Sequence, residues 1–329
     1  MMQVNESLRS LSARLHRFYF GPVSIYPFVL CRILLGSIFF LAYTLFFPAV
    51  TAIWGPRGVT HFYLEQLARN YAVPVAPLAW TETHVWFVYA LLLITAVTFA
   101  AGFMTRISGI VVVLCHIVFA ESRFHTWGWS PTIIPFAVYL VLGNAGARFS
   151  VDAWLRRRRA PTAGETETIT AWPLRLFQTH VLAIYMAASW HRIDDPGWLR
   201  GDVLFEVMTS EVWTRVTIDL LPYRAVLQLA TWASLIVELL APLALCWRRT
   251  RTGFVLLLAV LHIGLELFGR LGWWQPLMLT LLVVFWPDGA AERLIRRLER
   301  ALSGSRTRCP PVPLREKEHT VTDVDEPRK

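Results

Sequence analysis

Long apolar blocks alternate along this chain with short polar connections that carry arginine. Eight blocks stand out, at 25–50, 84–101, 105–120, 131–147, 172–190, 225–246, 253–269 and 271–286. An α-helix rises about 1.5 Å per residue, so about 20 apolar residues cross a hydrocarbon layer of roughly 30 Å. The first and sixth blocks are long enough to cross outright. The third, fourth, seventh and eighth are short, and cross with little tilt or as partly re-entrant segments. The pattern predicts an all-α fold: a polytopic transmembrane helical bundle of about eight spans. The first block is too long for a cleaved signal peptide and reads as a retained span.

Two connections are long. Each contains a stretch with apolar and polar sides, at 60–72 and 203–221, and both read as short interfacial helices on the outer face. Residues 1–24 read as an N-terminal arm, 25–290 as the membrane domain and 291–329 as a basic, disordered tail, with charge and proline dense after 303. No internal repeat is visible, which argues against an inverted-repeat transporter.

Composition supports the membrane reading. Hydrophobic residues make up 55% of the chain and charged residues 17%, against about 45–50% and 25% in soluble domains. The net charge is +9. Its arginines cluster between apolar blocks, so they speak for membrane orientation rather than nucleic-acid binding. With the N-terminus inside, the inside segments and their edges hold 23 of the 32 Lys and Arg, and the outside segments hold eight. That bias predicts a cell-membrane protein with both termini cytoplasmic. Tryptophans agree, since indole prefers the headgroup level. Trp54, Trp80, Trp86, Trp127, Trp129, Trp198, Trp213, Trp273 and Trp274 fall near the outer boundary, and Trp154, Trp172, Trp247 and Trp286 near the inner one.

Ionisable groups in hydrocarbon are costly, so each one needs a reason. Arg32, His116, His180 and Glu238 read as an intramembrane polar network. His191, Arg192, His262 and Glu266 read as candidate catalytic residues around a pocket opening outward. His262 and Glu266 are four apart and stack on one helix face. His180 and His191 share a face of the fifth span, with Ala183 and Ala187 beside it to admit a close neighbour. Ser234, Glu238 and Pro242 form a stripe in the sixth span. A histidine beside a carboxylate suits proton transfer near neutral pH, and the plain alternative is a tie between helices. Of the four cysteines, Cys31, Cys115 and Cys246 lie in apolar blocks and read as buried small hydrophobes. No metal-ligand motif appears.

The order of certain segments resembles a known family. They are "VLCRILLGSIFFLAY", "AGFMTRISGIVVVL", "GARFSVDAWLRRRR", "WHRIDDPGWLRGDVL", "IVELLAPLAL" and "LHIGLELFGRLGWWQPLMLTLLVVFWP". Together they look like the HTTM domain, the membrane domain of vitamin K-dependent gamma-carboxylase and of many bacterial proteins. Within it the chain is most similar to the sporulation-delaying protein B type. The resemblance implies chemistry on the outer face, and it admits a quinone as cofactor. It further implies a small partner protein and a secreted peptide precursor, beside the lipid bilayer and with no nucleic acid. The proposed base of the carboxylase is a lysine. That position falls here on His191 or Arg192, and the membrane domain contains no lysine. Arginine, with a pKa above about 12, cannot act as that base. The expected role is therefore maturation or modification of a secreted peptide or small molecule. The alternatives are a quinone-linked oxidoreductase or carboxylase-like enzyme, and a non-catalytic scaffold or immunity-like partner.

Overall fold

Each apolar block of the sequence is a helix in the computed structural model, which describes residues 2–60, 81–120, 128–160, 166–215 and 219–302. In chain order the first helices are α1 (Met2–Phe20), α2 (Tyr26–Thr44), α3 (Val50–Trp54), α4 (Glu82–Ala101), α5 (Thr105–Ala120), α6 (Trp129–Leu142) and α7 (Val151–Arg159). They are followed by α8 (Trp172–Ile193), α9 (Pro196–Arg200), α10 (Val203–Thr209), α11 (Arg224–Cys246), α12 (Arg248–Phe268), α13 (Trp274–Leu281) and α14 (Ala290–Leu302). The fold is an all-α bundle of membrane type. Four helices are long and apolar enough to cross a bilayer by length and composition: α2, α4, α12 and the run Leu221–Cys246 that ends α11. Three shorter apolar helices are α5, α6 and Trp274–Phe285. The fifth predicted span, α8, is long but carries more polar residues.

Local chemistry sets the helix ends. Thr81 and His84 form a capping box at the start of α4, and Gly102 ends it in the left-handed region at φ 72°. Consecutive helices then pack side by side, and α13 packs back against α2 to close the bundle. Broad apolar faces stay outside: Phe87 and Ile94 on α4, Leu243 on α11 and Val260 on α12 are all exposed. Such surface is stable against lipid and costly against water.

The two ends of the bundle differ. At one end a short antiparallel ribbon pairs Pro22–Ser24 with Thr168–Thr170 just before α2 and α8. Beside it the turn after α6 is tied down from three directions. Arg32 donates to the carbonyls of Ala145 and Phe149 at 2.8 and 2.6 Å. Asp152 accepts from the backbone N–H groups of Met104 and Thr105 at 2.8 and 2.9 Å, capping α5 with a negative charge at its N-terminus. Ser150 caps α7 through Ala153 N–H at 2.9 Å. This end carries Arg156–Arg159 and the arginines that open α12.

Three expectations change. Residues 203–221 are not one helix. α10 stops at Thr209, and the chain then bridges Thr214 to Gly269, with Arg215 N–H donating to the Phe268 carbonyl at 2.8 Å. Backbone bonding to the end of α12 replaces helical bonding there. Residues 291–302, placed in the disordered tail by sequence, belong to the helix α14. Ala291 and Ile295, four apart, bury one face, and Arg148 grips Glu299 with two bonds of 3.0 and 3.1 Å. Cys246 is exposed at the end of α11, whereas Cys31 and Cys115 are buried as expected. The interfacial stretch predicted at 60–72 lies outside the described residues apart from its first position, Thr60, and the tail from 303 lies wholly outside them.

Candidate functional site

α8 carries Tyr185, Ser189 and Arg192 at positions i, i+4 and i+7, so all three share one helix face. That face meets Glu238 of α11 and His262 of α12, and His262 in turn meets Gln275 of α13. His262 is 2% exposed. Its Nδ1 lies 2.5 Å from Gln275 Oε1, and its Nε2 lies 3.0 Å from the Tyr185 hydroxyl. With the amide oxygen facing it, Nδ1 carries the proton and donates to Gln275. Nε2 is then left to accept from the Tyr185 O–H. A neutral imidazole is thus held between one donor and one acceptor.

An ion pair sits beside this line. Arg192 Nη1 donates to Glu238 Oε2, and the guanidinium stacks over Trp198 at 4.4 Å. Arg192 and Glu238 both act electrostatically on Tyr185, and Arg192 acts on His262. Pro242 follows Glu238 by four residues inside α11 and leaves the Glu238 backbone carbonyl without its helical N–H. Ser189 Oγ is buried on the same face of α8, with no hydrogen-bond partner among the described residues.

Loop elements cover the cluster. Asp195 caps α9 through Gly197 N–H at 2.7 Å. Trp232 Nε1 and Gln228 Nε2 of α11 donate to the carbonyls of Leu199 and Arg200 at 3.0 and 2.7 Å. Asp202 accepts from Arg200 and Arg224 at 3.1 and 3.3 Å, and these two guanidinium groups hold its carboxyl below the usual carboxylate range. α9 is thereby fixed, and Trp198 is set over Arg192.

Of the four residues singled out as catalytic, the structure brings Arg192 and His262 together. His191 is exposed; it lies next to Arg192, about 100° around the helix, and faces away. Glu266 shares the helix face of His262 but reaches outward. Its Oε1 accepts from Arg215 Nη2 at 2.8 Å, and its buried Oε2 has no partner among the described residues. Ala183 and Ala187 are exposed rather than packed under a neighbouring helix. Arg192, bound to Glu238 and stacked on Trp198, does not fit the hydroquinone base that the resemblance implies at this position.

The expected polar network does not form one unit. Glu238 belongs to the cluster above. Arg32 serves the turn after α6. His116 meets the Tyr43 hydroxyl at 2.8 Å through Nδ1 and the Ser130 carbonyl at 2.9 Å through Nε2, between the rings of Phe39 and Trp129. His180 meets the Tyr139 hydroxyl at 3.1 Å. Sequence reasoning missed Tyr185 and Gln275. The signal was present: a buried Tyr needs a partner for its hydroxyl, and Gln275 is a lone amide inside an apolar block. Among the described residues no group of three or more His, Cys, Asp or Glu is placed to hold a metal ion.

No curated protein and no solved structure shows significant similarity to the chain. A family description does: the HTTM domain matches residues 20–288. That stretch runs from the ribbon before α2 to the end of the last apolar helix, and so contains both tied ends of the bundle and the His262 cluster. Matched over most of its length, this chain belongs to the HTTM domain family.

Proposed function

We propose that the chain is a multi-pass protein of the bacterial cell membrane, with eight crossings and both termini cytoplasmic. Its His262 cluster handles protons while a secreted peptide or small molecule is matured or modified at the outer face. The observation that carries this reading is the buried, neutral His262, flanked by Tyr185 and Gln275 beside the Arg192–Glu238 pair. The Tyr185 O–H lies 3.0 Å from His262 Nε2. His262 Nε2 is positioned to take that proton, and the resulting imidazolium returns it. The sporulation-delaying protein B type, with its small partner and peptide toxin precursor, is the branch this reading follows.

The test uses cells that express the full chain together with candidate secreted-peptide precursors from its source genome. Secreted products are followed by mass spectrometry and normalised to the membrane level of the protein. His262→Gln and Tyr185→Phe are expected to lose product while still inserting. Full product per molecule from both variants would end the proton-handling reading. Fusion reporters test the topology: one placed after Arg159 reads cytoplasmic and one after Arg200 reads external, and the reverse pattern would overturn it.

A scaffold reading rests on a specific observation too: both ring nitrogens of His262 are already satisfied, as a tie between α8, α12 and α13 requires. On that reading product falls only in proportion to the amount of folded protein.

A further inference from the structure

The helix α1 stands apart from the rest of the molecule and reaches the bundle through α8. Leu11, Leu15 and Phe18 follow one another at i, i+4 and i+7, so they share one face of it. They are 52%, 51% and 48% exposed, and Tyr19 beside them is exposed as well. At about 100° per residue, Arg14 and Arg17 run along one edge of this apolar stripe, and Ala13 falls opposite it. Arg175 of α8 adds a third cation at the end of the stripe. Its Nε donates to the Phe18 carbonyl at 3.3 Å, and its guanidinium stacks over the Phe18 ring at 4.2 Å.

Position and charge say what covers this face. The end of α1 is fixed where two membrane helices begin. Ala171 N–H donates to the Gly21 carbonyl at 2.9 Å, and the ribbon of Pro22–Ser24 with Thr168–Thr170 leads at once into α2 and α8. Trp172 and Leu176, on either side of Arg175 in sequence, are exposed. The lipid-facing surface of α8 therefore continues up to α1, at the level of an indole that prefers headgroups. The charges there are all of one sign. Arg175 and Arg251 act on each other electrostatically. Arg175 Nη1 donates to the neutral Gln178 Oε1 at 2.8 Å, and Arg251 Nε to the Leu245 carbonyl at 3.0 Å. Among the described residues no carboxylate pairs with Arg14, Arg17, Arg175 or Arg251. An apolar stripe edged by unanswered guanidinium groups fits a surface that is apolar below and anionic above, as a leaflet of anionic phospholipid is.

We infer that α1 is a surface-bound helix that docks on anionic phospholipid at the basic end of the bundle. Leu11, Leu15 and Phe18 enter the boundary between headgroups and acyl chains. Arg14 and Arg17 extend along the surface to lipid phosphates, and Arg175 completes the cationic rim. The docking is independent of the His262 reading.

Fluorescence of the full-length protein in lipid nanodiscs tests this. The exposed Cys246 and the tail residue Cys309 are replaced by serine. An environment-sensitive label is attached at Leu15→Cys or, on the opposite face, at Ala13→Cys. Both positions are exposed, so the label leaves the bundle intact. The discs contain phosphatidylcholine alone or phosphatidylcholine and phosphatidylglycerol in equal parts, with and without a nitroxide-bearing lipid as quencher. With phosphatidylglycerol, the Leu15→Cys label is expected to be blue-shifted and strongly quenched, and the Ala13→Cys label to be neither. The ratio of docked to free α1, read from the two fluorescence lifetimes, falls about fivefold for each arginine removed by Arg14→Gln and Arg17→Gln. It falls in the same direction in phosphatidylcholine alone and at high salt. Equal quenching at the two label positions overturns the inference. So does a ratio that is the same with and without phosphatidylglycerol. A Leu15→Cys label shielded from water yet unquenched by lipid shows that protein covers the face, and overturns it as well.

Discussion

Two fully buried Tyr–His pairs sit in the two halves of this bundle, whereas Tyr139 and His180 are only half-buried. In the first half, His116 bonds Tyr43 and the Ser130 carbonyl among Phe39 and Trp129. In the second half, His262 bonds Tyr185 and Gln275 beside the Arg192–Glu238 ion pair. The helices around them differ as well. The apolar stretch of α2 is 61% buried, and that of α12 only 17%. A buried histidine is thus not in itself a sign of chemistry. Around His116 the surroundings are rings and backbone, which fix a ring in place. Around His262 they include full charges, which change what a proton transfer costs.

The comparison can be broken most forcefully at the ion pair. Glu238→Ala leaves Arg192 without its partner and is expected to cost about 3–5 kcal/mol, read as thermal unfolding of the detergent-solubilised protein. Arg192→Met combined with Glu238→Leu recovers most of that loss. A single variant as stable as the parent would show that the pair is already well solvated. Next come the two histidines. His262→Gln is expected to lower product per folded molecule by about 100-fold or more. His116→Gln leaves product per molecule unchanged and costs about 1–3 kcal/mol of stability through the unsatisfied groups around it. If both variants lose product alike, the halves do not differ as argued.

Smaller effects lie at the two ends. Glu299→Gln weakens the bidentate grip of Arg148 and is expected to cost about 1–3 kcal/mol, with α14 the first element to exchange amide hydrogens. The smallest effect belongs to Asp202. Its carboxyl is held below the usual range by Arg200 and Arg224, so its contribution is full above about pH 4. That contribution fades as pH falls through the lowered folded value. Asp202→Asn removes this acid dependence, and added salt shrinks the difference from the parent protein. A gap between the two proteins that widens on acidification would reverse the sign assigned here.

The apolar helices were legible in the sequence because each is written as a continuous apolar block, and block length alone places α5 at 105–120 without error. Arg32 and Glu238 were legible as exceptional for the same reason: a charge stands out in hydrocarbon. What the sequence concealed was partnership. Arg192 lies 46 residues from Glu238, and His262 lies 77 from Tyr185, so no local spacing relates them. The i, i+4 rule correctly put Glu266 on the face of His262, yet Arg215 from the loop after α10 captured it. Periodicity fixes a direction on one helix; it carries no information about what the neighbouring chain brings there. The break after Thr209 was hidden likewise, because the bonds that replace the helix come from the end of α12.

The docking of α14 on α2 has a consequence for assembly. Cys31 donates to the Thr280 carbonyl across 249 residues of chain, and Arg148 holds Glu299 across 151. The wall of α2 is therefore finished by segments that lie far along the chain from it. A chain made only as far as residue 290 leaves part of that flank of α2 uncovered. Closure of the ring is long-range, and contacts between segments so distant in sequence form slowly.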